Sequence, residues 1–123
     1  MSVQEKPPRK SGIAHFFAAA GYSIGGLKRL ARESAFRQEV ALIAGLLVLF
    51  MVLGASLPEI LGLLAIGLAL IAVEALNTAV EVLVDHLSPG WSQFAKDAKD
   101  LGSLAVACTI GVLLTYSAVT LIW

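Results

Sequence analysis

The sequence contains one cysteine, no lysine or arginine between positions 38 and 95, and none of the common nucleotide-binding loops. A single cysteine, Cys108, excludes an intrachain disulfide, and its place in an apolar run favours packing over reactivity. No G-x-x-x-x-G-K-[ST] loop occurs, and no glycine loop is followed by HRD, which excludes P-loop enzymes and protein kinases. What is present is apolar: 58% of the 123 residues are hydrophobic, too many for a soluble domain of this size.

Three apolar runs are long enough to cross a bilayer, which requires about 20 residues. They cover residues 40–57, 59–84 and 103–123. The turn between the first two, SLPE, carries no basic residue, whereas seven of the nine lysines and arginines lie in the first 37 positions. The positive-inside rule therefore places the N-terminus in the cytoplasm and the C-terminus outside. The polar segment 85–100 then faces the cytoplasm as well.

The segments outside these runs have their own patterns. Residues 1–11 contain two prolines and mixed charge, and are predicted to form a disordered leader. Apolar residues recur every three or four positions over 12–38 and are followed by basic ones, which predicts an amphipathic helix in the membrane interface. The GYSIGG stretch is predicted to bend or break this helix. Another helix is expected to start near Pro89 or Ser92 and to continue into the third apolar run.

A stripe of polar side chains marks the second run. Glu74, Asn77, Glu81 and Asp85 recur every three or four residues, so they share one helix face. A charged side chain at mid-membrane costs about 2.5–3.5 kcal/mol, so an acidic stripe requires partners. One interpretation is a structural hydrogen-bond cluster between helices, but cohesion needs only an amide, and the carboxylates favour a functional site.

The counter-charge for the stripe could come from a side chain or from a metal ion. The basic residues nearest the cytoplasmic boundary are Lys96, Lys99, Arg32 and Arg37. Carboxylate and amide oxygens suit Mg²⁺, which binds through one or two carboxylates together with phosphate. The stripe thus points to a phosphorylated substrate. Two other hypotheses remain: a proton- or ion-conducting oligomer, and a purely structural membrane subunit.

Four short motifs occur in order along the chain. They are AAGYS at 19–23, ESAFRQE at 33–39, EALNTAVE at 74–81 and AKDLGS at 98–103. From about residue 12 to the C-terminus, the chain resembles the prokaryotic diacylglycerol kinase family, which includes the undecaprenol kinases. The resemblance implies an all-α membrane protein with three transmembrane helices and an N-terminal amphipathic interfacial helix. It also implies a homotrimer with active sites at subunit boundaries, in the bacterial inner membrane.

The activity implied by this resemblance is ATP- and Mg²⁺-dependent phosphorylation of diacylglycerol to phosphatidic acid at the cytoplasmic interface, with no nucleic-acid partner. Undecaprenol kinase is the alternative, with the same machinery and another lipid. Glu74 would be the general base, and Glu33 and Glu81 would hold Mg²⁺. Their depths agree with these roles, because Glu74 is farther from water, where a carboxylate accepts a proton more readily, and Glu81 lies two turns nearer the surface.

The remaining site residues are carried over from the family motifs. Residues implied to contact the nucleotide are His15, Tyr22, Glu33, Asn77, Glu81, Gly90, Trp91, Ser92, Lys99 and Asp100. Residues implied to contact the lipid are Ala19, Ala20, Gly21, Tyr22, Ser23, Lys28, Ala35, Phe36, Arg37, Gln38, Glu39, Glu74 and Ser103. The chain departs from the family pattern at His15 and Ala18, where a basic residue is expected.

Overall fold

Four α-helices form the part of the chain that the computed structural model describes, residues 3–123. Helix α1 covers Gly12–Leu30, α2 covers Ser34–Val52, α3 covers Leu57–Leu87 and α4 covers Gln93–Ile122. Residues 3–11 are exposed and form neither helix nor strand, and no strand occurs elsewhere in 3–123. The predicted all-α class is confirmed.

Helices α2, α3 and α4 are each long and apolar enough to cross a membrane. Helix α3 has 31 residues, which makes it about 46 Å long, whereas a hydrocarbon core is about 30 Å thick. Helix α4, with 30 residues, exceeds that thickness to a similar extent. Both helices therefore carry polar turns beyond their apolar stretches, and the two polar ends face each other across the loop that joins α3 to α4.

The turn between α2 and α3 lies at residues 53–56, so the predicted turn at SLPE is wrong. Gly54 adopts a φ of +75°, the left-handed conformation that glycine accepts most readily. Helix α3 begins directly afterwards because Ser56 and Glu59 cap each other. The Glu59 N–H donates to Ser56 Oγ at 3.4 Å, and the Ser56 N–H donates to the Glu59 carboxylate at 2.8 Å.

The helix predicted over 12–38 is divided between α1 and α2. The predicted break at GYSIGG is wrong, because α1 continues through all three glycines. The chain breaks instead at residues 31–33, and Arg37 stabilises the break. Its guanidinium Nη1 donates to the carbonyl oxygens of Ala31 and Arg32, both at 3.1 Å, so the carbonyls at the end of α1 have a partner from α2.

Helix α3 contacts each of the other three helices. The core lies between α2, α3 and α4, where the side chains of Phe50, Leu63, Leu70 and Leu113 are completely buried. Close approach is possible at Gly67, where an added Cβ would lie 3.2 Å from the Ile43 side chain. Ser92 caps α4, with its hydroxyl accepting from the Ala95 N–H at 3.3 Å, which confirms the predicted helix start.

Candidate active site

Two glutamates from different helices meet in the interior. Glu39 on α2 is 6% exposed and Glu74 on α3 is 4% exposed, and their carboxyl groups lie against each other. No protein donor reaches Glu39 Oε2. Two carboxylates away from water repel each other unless they share a proton or a cation. Glu39, which the resemblance implies to be a lipid contact, is therefore placed beside the candidate base.

A second pair of carboxylates lies nearer the ends of the helices. Glu33, the residue before α2, and Glu81 on α3 are close enough for their charges to interact. The charge of Glu74 also acts on Glu81. We call Glu33, Glu39, Glu74 and Glu81 the carboxylate cluster. The sequence motifs place these residues in two separate segments, and the packing of α2 on α3 brings them together.

The nearest counter-charge on Glu33 comes from Arg29, which was not among the predicted candidates. Its Nη1 lies 2.6 Å from Glu33 Oε1, and both side chains are partly exposed. Arg29 is four residues before Glu33, a spacing typical of ion pairs on a helix surface, and this spacing could have revealed the pair. Two of the basic residues predicted to supply the counter-charge have other partners. Arg37 caps α1, and Lys96 Nζ lies 2.5 Å from Asp100 Oδ2.

Asn77 links the cluster to α4. Its Nδ2 donates to Glu81 Oε1 at 3.4 Å, whereas its Oδ1 is buried without a hydrogen-bond partner. This amide is directly against Gly102 on α4, where an added Cβ would collide with it. Glycine at 102 is therefore what allows the Asn77 side chain to occupy its place beside Glu81.

A polar cavity of about 340 Å³ opens where α3, the connecting loop and α4 meet. Lys99 lies on its wall, with Nζ 2.6 Å from Asp85 Oδ1, and its charge also acts on Glu81. All five nucleotide contacts predicted in this region line the cavity: Gly90, Trp91, Ser92, Lys99 and Asp100. The structure thus brings these residues together, and Lys99 connects their cavity to the carboxylate cluster.

An apolar cavity of about 1020 Å³ lies between α1 and α3. Leu27 and Leu30 line it from α1, and α3 contributes a face of apolar and small residues. Its polar lining includes Ser23, Arg29 and Thr78. Ser23 is the one predicted lipid contact on this wall; the others on α1 are Ala19, Ala20, Gly21, Tyr22 and Lys28.

His15 and Tyr22 lie elsewhere. They line a third cavity, of about 550 Å³, together with Arg9, Lys10 and other residues from the segment before α1. It shares no lining residue with the polar cavity or the apolar cavity, and none of the carboxylate cluster lines it. Within one copy of the chain, the two predicted nucleotide contacts on α1 are therefore not brought to the site of the other eight.

The other predicted lipid contacts lie at the start of α2 and near the polar turns of α4. Phe36 is buried at 8% exposure, whereas Ala35, Arg37, Gln38 and Ser103 are exposed.

Two residues that the prediction lacked, Arg29 and Thr78, lie at the site. Thr78 is one turn from Glu74 on the same helix, which is the pattern that could have identified it.

The donor set fits magnesium. Among residues 3–123, no group of three or more His, Cys, Asp or Glu side chains is close enough to hold a metal on its own. Glu33 and Glu81 supply two carboxylates, and Asn77 Oδ1 is a buried oxygen without a partner. Mg²⁺ binds through one or two carboxylates and completes its octahedron with water and phosphate oxygens, so this set suits a magnesium–phosphate complex.

Comparison with known proteins agrees with this chemistry. A family model described as prokaryotic diacylglycerol kinase matches residues 21–121. A Sinorhizobium protein named diacylglycerol kinase is 43% identical over 115 residues, covering 94% of this chain and 84% of the relative. Helicobacter pylori and Escherichia coli K12 proteins of the same name are 38% and 34% identical over 125 and 102 residues. These alignments cover 100% and 81% of this chain, and 92% and 83% of the relatives.

Proposed function

The chain belongs to the prokaryotic diacylglycerol kinase family, and we propose that it transfers the γ-phosphate of ATP to the hydroxyl of diacylglycerol. The family makes it a lipid kinase. The product would be phosphatidic acid, formed at the cytoplasmic surface of a bacterial inner membrane. The name that the relatives share favours diacylglycerol over undecaprenol.

The observation that carries this proposal is that two unlike cavities each contain a residue linked to the carboxylate cluster. The polar cavity contains Lys99, whose charge acts on Glu81, and the apolar cavity between α1 and α3 contains Arg29, which pairs with Glu33. A kinase for a lipid must bring a charged triphosphate and an apolar alcohol to one point. The conducting-oligomer hypothesis gives neither cavity a role.

Phosphoryl transfer depends mainly on positioning and charge. Glu33 and Glu81 would hold Mg²⁺, which neutralises charge on the phosphate oxygens when bound. Lys99 would contact the phosphates as a second positive charge, and Asn77 would orient Glu81 through the hydrogen bond described above. Asp100 and residues 90–92 would complete the nucleotide site, since they line the same cavity.

Glu74 would accept the proton of the lipid hydroxyl. It lies seven residues from Glu81 along α3, which is about 10 Å along the axis and farther from the polar ends of the helices. Its side chain is 4% exposed, so the proton transfer would take place away from bulk water. Glu39 lies in contact with Glu74 and would therefore influence its charge.

The apolar cavity would receive the lipid. It lies between two helices rather than inside the bundle core, so an acyl chain could enter sideways from a bilayer. Helix α1 carries exposed apolar residues, including Phe16, Phe17 and Leu27, as a helix in the membrane interface would. The motif residues on α1 and at the start of α2 would surround the lipid at this entrance.

A homotrimer would account for the two predicted nucleotide contacts that lie away from the other eight within a single chain. His15 and Tyr22 line a cavity that does not include the carboxylate cluster. If active sites form at subunit boundaries, α1 of one copy can bring these side chains to the site of another. The N-terminus would be cytoplasmic and the C-terminus external, as the distribution of basic residues indicates.

The test is phosphate transfer from ATP to a panel of lipid alcohols, with the full chain in lipid bilayers. Dioleoylglycerol with Mg²⁺ should give phosphatidic acid, and a chelator should abolish the product. Equimolar dioleoylglycerol and undecaprenol in one assay separates the two lipid hypotheses by their rates. No phosphorylated lipid from any alcohol, in protein that remains folded, would contradict the proposal.

A further inference from the structure

Thr78 carries a buried hydroxyl that has no partner. The side chain is 5% exposed, and its Oγ1 makes no hydrogen bond in the structure. An unsatisfied buried hydroxyl is costly, so a position of this kind requires an explanation.

Other hydroxyls on the helices show the usual solution. Ser117 on α4, buried at 4% exposure, donates to the Leu113 carbonyl at 2.8 Å. Thr109 donates to the Ala105 carbonyl at 2.9 Å, and Ser23 donates to the Ala19 carbonyl at 3.1 Å. In each case the acceptor lies four residues earlier. Thr78 lacks this bond, so its buried hydroxyl has no partner within its own helix.

The position of Thr78 indicates what that partner is. Thr78 lies about 40° around the α3 axis from Glu74, whereas Ala75, on the same cavity wall, lies about 100° away. Thr78 also lines the apolar cavity between α1 and α3. Thr78 therefore lies on α3 between the wall of this cavity and the face that carries Glu74.

We propose that the Thr78 hydroxyl binds the hydroxyl oxygen of the lipid alcohol and directs its proton toward Glu74. This inference depends on the proposed function. The lipid O–H bond breaks and its proton goes to the Glu74 carboxylate. The lipid oxygen then forms a bond to the γ-phosphorus of ATP, while the bond from that phosphorus to the β-phosphate oxygen breaks and ADP leaves with the electron pair. Thr78 keeps its own proton and donates it as a hydrogen bond to the lipid oxygen throughout.

The test compares Thr78→Val, which removes only the hydroxyl, with Thr78→Ser, which keeps it. Thr78→Val should lower kcat/KM for dioleoylglycerol about 10- to 100-fold, as expected for the loss of a hydrogen bond to a developing charge. The KM for ATP should stay within about twofold, and Thr78→Ser should recover most of the activity. Thr78→Val should unfold no more easily than wild type, because it removes an unsatisfied group from an apolar site.

Ser117→Ala is the matched control, since Ser117 is equally buried but its hydroxyl is bonded within α4. It should leave kcat/KM for the lipid unchanged. A dialkyl ether analogue of dioleoylglycerol identifies the contact, because it retains the hydroxyl but lacks ester carbonyls. The Thr78→Val defect should persist with the ether lipid.

Three results would overturn the inference. Full lipid activity in Thr78→Val would show that the hydroxyl is not used, and a defect with the ester lipid alone would assign it to a carbonyl. A defect accompanied by lower stability, and not recovered in Thr78→Ser, would make the role structural. In all three cases wild type and Ser117→Ala still phosphorylate lipid, and the proposed function stands. If wild type makes no product, the proposed function fails, and this inference fails with it.

Discussion

The two ends of the helix bundle differ in whether their polar groups have hydrogen-bond partners. At the end that contains residues 53–59, which we call the turn end, Ser56 and Glu59 cap each other, and the Tyr116 hydroxyl donates to the Glu59 carbonyl at 2.7 Å. At the other end, which we call the carboxylate end, three buried atoms have no hydrogen-bond partner: Glu39 Oε2, Asn77 Oδ1 and Thr78 Oγ1.

This difference indicates that the turn end mainly stabilises the fold, whereas the carboxylate end serves the proposed activity. The turn end contains two of the completely buried core side chains, Phe50 and Leu63, and its polar groups satisfy one another. The carboxylate end keeps acids together and leaves oxygens unpaired, an arrangement that costs free energy of folding unless a ligand uses them. Unsatisfied polar groups of this kind are expected where substrates bind. We therefore expect changes at the carboxylate end to alter activity, and changes at the turn end to alter stability.

A large effect on activity at the carboxylate end is expected for Gly102→Ala. The added methyl group would displace the Asn77 amide from its place beside Glu81. The displaced group is the end of a flexible side chain, so stability should change little. Lipid phosphorylation should fall by about one to two orders of magnitude, which corresponds to about 1.4–2.8 kcal/mol. Initial rates and thermal unfolding, measured on the same preparation, check both parts.

Gly111→Ala is the control for this substitution, because no atom lies within 4 Å of the Cβ it would add on the same helix. It should retain wild-type rates. Equal losses in the two variants would show that helix α4 tolerates no methyl group, and the special role of position 102 would be lost.

A smaller effect, on stability rather than on activity, is expected for Tyr116→Phe at the turn end. The substitution removes the hydrogen bond to the Glu59 carbonyl but keeps the ring, which stacks on Phe50 with centroids 6.2 Å apart. The free energy of unfolding should fall by about 1 kcal/mol. Chemical denaturation in detergent measures this change, and kcat for the lipid should be unaffected. A large loss of kcat with unchanged stability would remove the distinction between the two ends.

The fold was largely predictable from the sequence because its long helices coincide with long apolar runs. Apolar length predicts the three long helices, and Ser92 marks the start of α4 as expected. The errors are at the chain breaks. Glycines in GYSIGG suggested a break that does not occur, and the real break depends on Arg37 reaching back to the end of α1, a contact between helices that periodicity does not reveal.

The candidate site was predictable in part for the same reason. Spacing on one helix is sufficient to unite Glu74, Asn77 and Glu81 on one face. It does not show that Glu39 lies against Glu74, because that contact depends on how α2 packs on α3. Nor does it show which hydroxyls are satisfied. Thr78 and Ser117 are both buried hydroxyl residues on helices, and only the structure distinguishes the bonded one from the free one.

The most direct measurement is single-turnover phosphate transfer to dioleoylglycerol by Glu74→Gln, with binding of Mg-ATP followed in the same protein. Glutamine keeps the size of the side chain but cannot accept the proton, so the rate should fall by about 100- to 10,000-fold. Affinity for Mg-ATP should be retained, since Glu33, Glu81 and Lys99 are intact, and stability should not decrease because the contact between two carboxyl groups is relieved. Transfer at the wild-type rate would contradict the assignment of Glu74 as the base and, with it, the division between the two ends of the molecule.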